Sequence, residues 1–195
     1  MAVHPQLPNA ITIARILCAP VFLWLLLADA GAGGGLRWAA GIVFIVAIAT
    51  DGIDGYIARR FDIVSDLGKL LDPIADKALT GVAFVGLSIL GELDWWVTIV
   101  VLVREIGITV YRFMVVSDHV LAAAWMGKLK TVAQAVALSI ALLPLASLSD
   151  AAVWQSTVWW AGVVTMTIAV VLTIASGIDY VVSEVRGARA RRGGR

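Results

Sequence analysis

The chain has 195 residues, 61% of them hydrophobic, with a mean hydropathy of +0.93. That apolar share is well above the roughly one half of a soluble globular domain and excludes one. A net charge of +1 indicates no partner by itself, and the single Cys18, inside an apolar run, excludes an internal disulfide and reads as a small core hydrophobe.

A spanning helix needs about 20 mostly apolar residues, so this length accommodates six with short connections and no separate soluble domain. The sequence is read as an all-α integral membrane protein: a six-helix transmembrane domain over residues 1–185 and a basic, disordered cytoplasmic tail over 186–195. The first helix is expected over 9–28, entered through Pro8-Asn9, with Thr12 and Arg15 continuing a polar face near its start. Asn9 there is either a helix cap or a site residue. A flexible turn at Gly31-Ala-Gly-Gly-Gly35 precedes a second helix over 36–60, which ends in Asp51 and Asp54.

After a short charged loop, a third helix over 68–90 carries Asp72 and Asp76 in its first turns, where Pro73 is tolerated because early amides need few partners. Gly91-Glu-Leu-Asp94 turns the chain into a fourth helix over 95–116, with Arg104, Glu105 and Arg112 embedded in it. Arg104 and Arg112 are eight apart, about two turns, and share a face. Arginines inside a membrane are costly enough to point to a water-filled cavity with an anionic occupant, and Glu105 is a partner either for Arg104 or for the bundle. A link over 117–126 leads to a fifth helix over 127–146, opened by Gly127-Lys-Leu-Lys-Thr131, and a sixth over 156–184.

Basic residues are distributed unevenly between the two sides. With the first helix starting in the cytoplasm, the outer loops hold only Arg37, whereas Arg59, Arg60, Lys69, Lys128, Lys130 and the Arg-rich tail lie inside. This places both termini and the Asp residues on the cytoplasmic face of a cell membrane. The tail is read as a topology signal drawn to anionic lipid heads, not as a nucleic-acid contact. Trp38, Trp95, Trp96, Trp154, Trp159 and Trp160 then form an outer interfacial belt.

The organising stretch is 51–76. Asp51 and Asp54 are three apart and Asp72 and Asp76 four apart, so on helices each pair shares a face. Four carboxylates converging on one point would repel and protonate unless cations held them, and a hard divalent ion with oxygen ligands does this most simply. Each Asp taken alone reads as a solvated helix end; the paired spacings favour a site, with Gly55 and Gly68 allowing close approach to the backbone. Arg59, Arg112, Lys128 and Lys130 nearby add the means to orient phosphates, and one crowded Asp is a candidate base for a hydroxyl. Lys128 and Lys130 also fit ordinary flanking charge, and Lys69 and Lys77 fit a role in balancing the Asp residues or snorkelling.

The run Asp51-x2-Asp54-Gly55-x2-Ala58-Arg59-x8-Gly68-x3-Asp72-x3-Asp76 resembles in full the signature of the CDP-alcohol phosphatidyltransferases. Pro8-Asn9-Ala-Ile-Thr12-x2-Arg15, Leu71-Asp-Pro-x-Ala-Asp-Lys77, Arg104-Glu105-Ile106 and Gly127-Lys-x-Lys130-Thr131 resemble the members whose acceptor is glycerol 3-phosphate. The resemblance implies a six-helix, homodimeric enzyme that transfers the phosphatidyl group of CDP-diacylglycerol to an acceptor hydroxyl, releases CMP and uses Mg2+ or Mn2+. It implies Asp51, Asp54, Asp72 and Asp76 as metal ligands, with Asp76 also the general base. Asp54, Gly55, Ala58, Arg59, Gly68, Asn9 and Thr12 would meet CDP-diacylglycerol, and Arg104, Arg112, Lys128 and Lys130 the acceptor phosphate. Rival readings are the same chemistry on phosphatidylglycerol, inositol phosphate or serine, a divalent-cation transporter built on the Asp cluster, and a purely structural membrane protein.

Overall fold

Helix follows helix along the described residues. The computed structural model describes the backbone of residues 7–60, 66–114 and 124–193 and the side chains of 13–50, 77–111 and 125–186. These residues form α1 (Leu7–Ala28), α2 (Gly35–Arg60), α3 (Asp66–Ile89), α4 (Trp95–Met114), α5 (Ala124–Leu142), a short 3-10 turn (Leu145–Leu148) and α6 (Ala152–Gly193), with no strand among the described residues. Six helices were expected, and their bounds agree to within three residues except at the start of α6, which comes four residues early, and at two further places. α5 ends at Leu142, four residues early, because Pro144 disfavours helical geometry in the residue before it. α6 continues through the segment read as a disordered tail, where Ala and Arg, both strong helix formers, dominate. Most of the link read over 117–126 lies outside the described residues.

Packing joins helices that are distant in sequence as well as neighbours. α5 lies along α6, α1 packs on both α2 and α3, α4 bridges α3 and α6, and α2 reaches α5. The shared core is built from Phe22, Leu26, Phe44, Leu79, Phe84, Leu87, Leu138 and Leu142, with the Phe22 and Phe44 rings 5.7 Å apart. Polar groups inside it are satisfied pairwise, as burial requires. Thr98 Oγ1 donates to the Phe84 carbonyl at 3.1 Å and lies 2.7 Å from Ser88 Oγ, and Gln134 Nε2 donates to Thr173 Oγ1 at 2.8 Å.

Many large apolar side chains face outward, with Leu17, Val103, Val132, Val153 and Trp159 all at least 60% exposed. Such a surface is costly in water and natural in lipid. One helix among the described residues, α6 over Ala152–Arg186, is by itself long and apolar enough to cross a membrane, with an 18-residue stretch of mean hydropathy 2.1. Ile13–Ala28, Gly35–Thr50 and Lys77–Ile89 are shorter apolar runs.

One end of the bundle is tied by a single polar knot. The turn read as flexible is ordered: Gly31 and Gly33 adopt positive φ, which lets Asp29 accept from the amides of Gly33 (2.8 Å), Gly34 (3.0 Å) and Arg37 (3.2 Å). Arg37 is buried. Its Nε donates to Leu142 O at 2.8 Å and its Nη2 to Ala141 O at 2.9 Å, and both Nη atoms engage Glu92 from the α3–α4 turn. Three inter-helix connections therefore meet at one guanidinium. Trp95, Trp96, Trp159 and Trp160 are exposed at this same end.

Close packing of α1 on α3 depends on Gly86. A Cβ there would lie 2.6 Å from Leu26 Cδ2 and 3.2 Å from Leu23 Cδ1, and Leu26 is fully buried with no room to retreat. Gly86→Val is expected to destabilise the bundle by about 1–3 kcal/mol, read as a lower unfolding midpoint in detergent, whereas Gly107→Val, where no atom lies within 4 Å of an added Cβ, serves as the tolerated control.

Candidate active site

Chain direction brings the chemistry-bearing residues to the end opposite the Arg37 knot. The last turns of α2, residues 51–60, and the first turns of α3, residues 66–76, are both helical, so the two Asp pairs keep the one-turn spacings expected of them. The side chains of Asn9, Thr12, Asp51, Asp54, Ala58, Arg59, Asp72, Asp76 and Arg112, and the surroundings of Gly55 and Gly68, lie outside the described residues. The donor set itself, four carboxylates within 26 positions, suits a hard divalent cation.

The first described side chain after Asp76, Lys77, belongs to an ion cluster. Lys77 Nζ on α3 donates to Glu105 Oε2 on α4 at 2.7 Å, and Lys130 Nζ on α5 donates to Glu105 Oε1. Arg104 Nη1 reaches the same Oε1 at 3.2 Å, while its Nη2 donates to Ser176 Oγ on α6 at 3.0 Å. Lys130 is 4% exposed and Glu105 6% exposed, although both sit on helices with apolar neighbours. Of the acceptor residues named from sequence, the structure thus brings together Arg104 and Lys130; Lys128 is exposed two residues before Lys130.

Sequence reasoning gave Lys77 a role in balancing the Asp residues or in snorkelling; the structure pairs it with Glu105. Glu105 was expected to partner Arg104 or the bundle, and it does both. Ser176 and Gly177 were missed. Nothing in the α6 sequence marks them except small size, yet a Cβ on Gly177 would come within 3.3 Å of Arg104 Cγ, so this helix is cut away where the arginine crosses it. Next to that crossing, Tyr111 of α4 and Tyr180 of α6 meet edge-on with centroids 5.9 Å apart.

Chemically, three cations share one carboxylate, an excess of two positive charges among the described residues of a largely buried place. Uncompensated buried charge is unfavourable until an anion arrives. A group of cations on helices that also carry the Asp motif suits a phosphate, and a metal held by the motif would neutralise a second phosphate-bearing group.

Known proteins resemble the chain over most of its length. The family model described as CDP-alcohol phosphatidyltransferase matches residues 5–175. A "Probable phosphatidylglycerophosphate synthase" of Mycobacterium tuberculosis (strain ATCC 25618 / H37Rv) is 42% identical over 181 residues, covering 93% of this chain and 82% of the relative. A "CDP-diacylglycerol--glycerol-3-phosphate 3-phosphatidyltransferase" of Bacillus subtilis (strain 168) is 36% identical over 192 residues, 90% of this chain and 93% of its own. A protein of the same name from Escherichia coli (strain K12) is 32% identical over 186 residues, 90% and 92% respectively. By the family match and by these identities, the chain belongs to the CDP-alcohol phosphatidyltransferase family.

Proposed function

We propose that this protein transfers the phosphatidyl group of CDP-diacylglycerol to glycerol 3-phosphate, giving phosphatidylglycerophosphate and CMP. The observation that carries the acceptor choice is the surplus of two positive charges that the described residues place around Glu105, one of whose partners, Lys77, directly follows Asp76 on α3. A phosphate monoester dianion matches that surplus. The names of the relatives at 32–42% identity support the same reading.

In this reading all six helices span the membrane, both termini and the Asp residues face the cytoplasm, and the active form is a homodimer. The charge distribution supports the orientation: the basic residue at the opposite end, Arg37, is neutralised by Glu92 and so does not compete with Arg59, Arg60, Lys69, Lys128 and Lys130. Asp51, Asp54, Asp72 and Asp76 hold Mg2+ or Mn2+. When bound, that cation neutralises diphosphate oxygens. Asn9, Thr12, Asp54, Gly55, Ala58, Arg59 and Gly68 receive CDP-diacylglycerol, and Arg104, Arg112, Lys128 and Lys130 orient the acceptor.

The acceptor hydroxyl gives its proton to the Asp76 carboxylate as its oxygen bonds to the diacylglycerol-linked phosphorus. The bond from that phosphorus to the CMP oxygen breaks in line, and Arg59 holds the departing phosphate. Purified protein with Mg2+ is expected to form phosphatidylglycerophosphate and CMP in equal amounts, to stop on addition of EDTA and to resume when Mg2+ is restored. CMP release with phosphatidylglycerol as acceptor and none with glycerol 3-phosphate would overturn the acceptor. Cation flux into vesicles without any CMP would overturn the chemistry.

A further inference from the structure

We propose that Glu105 is a positioning residue that presets the phosphate-binding cations, gathering Lys77, Arg104 and Lys130 from α3, α4 and α5 on one carboxylate so that two positive charges remain for a phosphate monoester. The inference rests on the acceptor reading above and deepens it. Glu105 faces the inside of the bundle, while its helix neighbours Val103 and Ile106 are 67% and 56% exposed. Its two oxygens are divided between the cations: Oε2 takes Lys77 at 2.7 Å, and Oε1 takes Lys130 and, at 3.2 Å, Arg104.

One cation is enough to neutralise a carboxylate. Here three converge, and no second acid joins them among the described residues. Without Glu105 these like charges would push apart, and buried Lys130 would lose its counter-ion. With it, each ammonium spends one of its three N–H groups on the carboxylate and keeps others for a ligand. Arg104 is fixed from behind by Ser176 and slotted over Gly177, and its Nε is buried without a hydrogen-bond partner. A free donor in a charged, water-poor site is what an incoming phosphate oxygen would satisfy.

The test uses the full-length protein in detergent and compares Glu105→Asp and Glu105→Gln with the wild type. Glu105→Asp keeps the charge but shortens the arm by one carbon–carbon bond, about 1.5 Å, so it can no longer reach all three cations. It is expected to raise KM for glycerol 3-phosphate by about tenfold or more, the loss of one charge-assisted hydrogen bond, and to weaken binding of inorganic phosphate in parallel. KM for CDP-diacylglycerol should stay within about twofold. Ser176→Ala, one step further back, should move the same two quantities in the same direction but less. A fall in folded yield or kcat with KM for glycerol 3-phosphate and phosphate affinity unchanged would sink the proposal, and Glu105→Asp decides it if Glu105→Gln does not fold. Should the wild type bind inorganic phosphate through Glu105 yet fail to use glycerol 3-phosphate, the acceptor reading falls and the positioning role stands.

Discussion

Asp76→Asn is expected to lower kcat by about 100- to 10,000-fold, the range that a positioned general base contributes. Asparagine has nearly the same shape and retains an oxygen, but it cannot take the proton of the acceptor hydroxyl and is a poorer ligand for a divalent cation. The measurement is CMP release per folded molecule at saturating Mg2+, with the unfolding midpoint recorded to separate chemistry from stability. Raising Mg2+ further discriminates the two duties. Recovery at high Mg2+ would assign Asp76 to metal binding alone, persistent loss is the expected result for a base, and full activity would remove Asp76 from both roles.

The second large effect is at the other end of the bundle. Arg37→Ala is expected to cost about 3 kcal/mol of stability, because it strips a buried guanidinium from Glu92 and leaves the carbonyls of Ala141 and Leu142 bare. That figure sits at the low end for broken buried ion pairs because Glu92 is about one-third exposed, with 34% of its side chain accessible. The two carbonyls belong to the end of α5, where a helix has no amides left to satisfy them and where a cation also suits the dipole. Arg37→Lys should recover little, since an ammonium cannot reproduce the planar fork to Glu92 and still reach two carbonyls. Unfolding in detergent monitored by helix content reads the loss. Molecules that remain folded should keep their KM values, and a stability change below about 1 kcal/mol would show that the knot is ornamental.

How much of this was legible in the sequence follows from the range over which residues communicate. Helix existence is a local property, carried by apolar runs, Gly turns and charged breaks, and it was read correctly for all six helices. The Asp motif is local too, since its meaning lies in spacings of three and four along a helix. What a sequence pattern does not encode is which distant group a charge will choose. Lys77 stands beside Asp76 but turns to Glu105, 28 residues on, and Arg37 finds Leu142, 105 residues away. Those choices arise from which helices pack together, and packing is decided by whole faces, not by single residues. The end of α5 was missed for a smaller reason: apolar composition continues past Leu142, and the backbone limit set by Pro144 outweighs it. The extension of α6 was missed for the opposite one, because charge was read as disorder where Ala and Arg propensity favours helix.

The slot that Gly177 makes for Arg104 also turns α6 into a register-sensitive part. At 42 residues the helix is about 63 Å long. Ser176 and Gly177 touch the cation cluster from well inside its length. Adding or deleting one residue between the 3-10 turn and Ser176 rotates everything beyond by about 100° and slides it about 1.5 Å. The hydroxyl then leaves the guanidinium, and a neighbouring side chain swings into a space cut for a hydrogen atom. Spacing along this helix is thus as fixed as any residue identity in the site, with Ser176 the residue of α6 that bonds the Arg104 guanidinium.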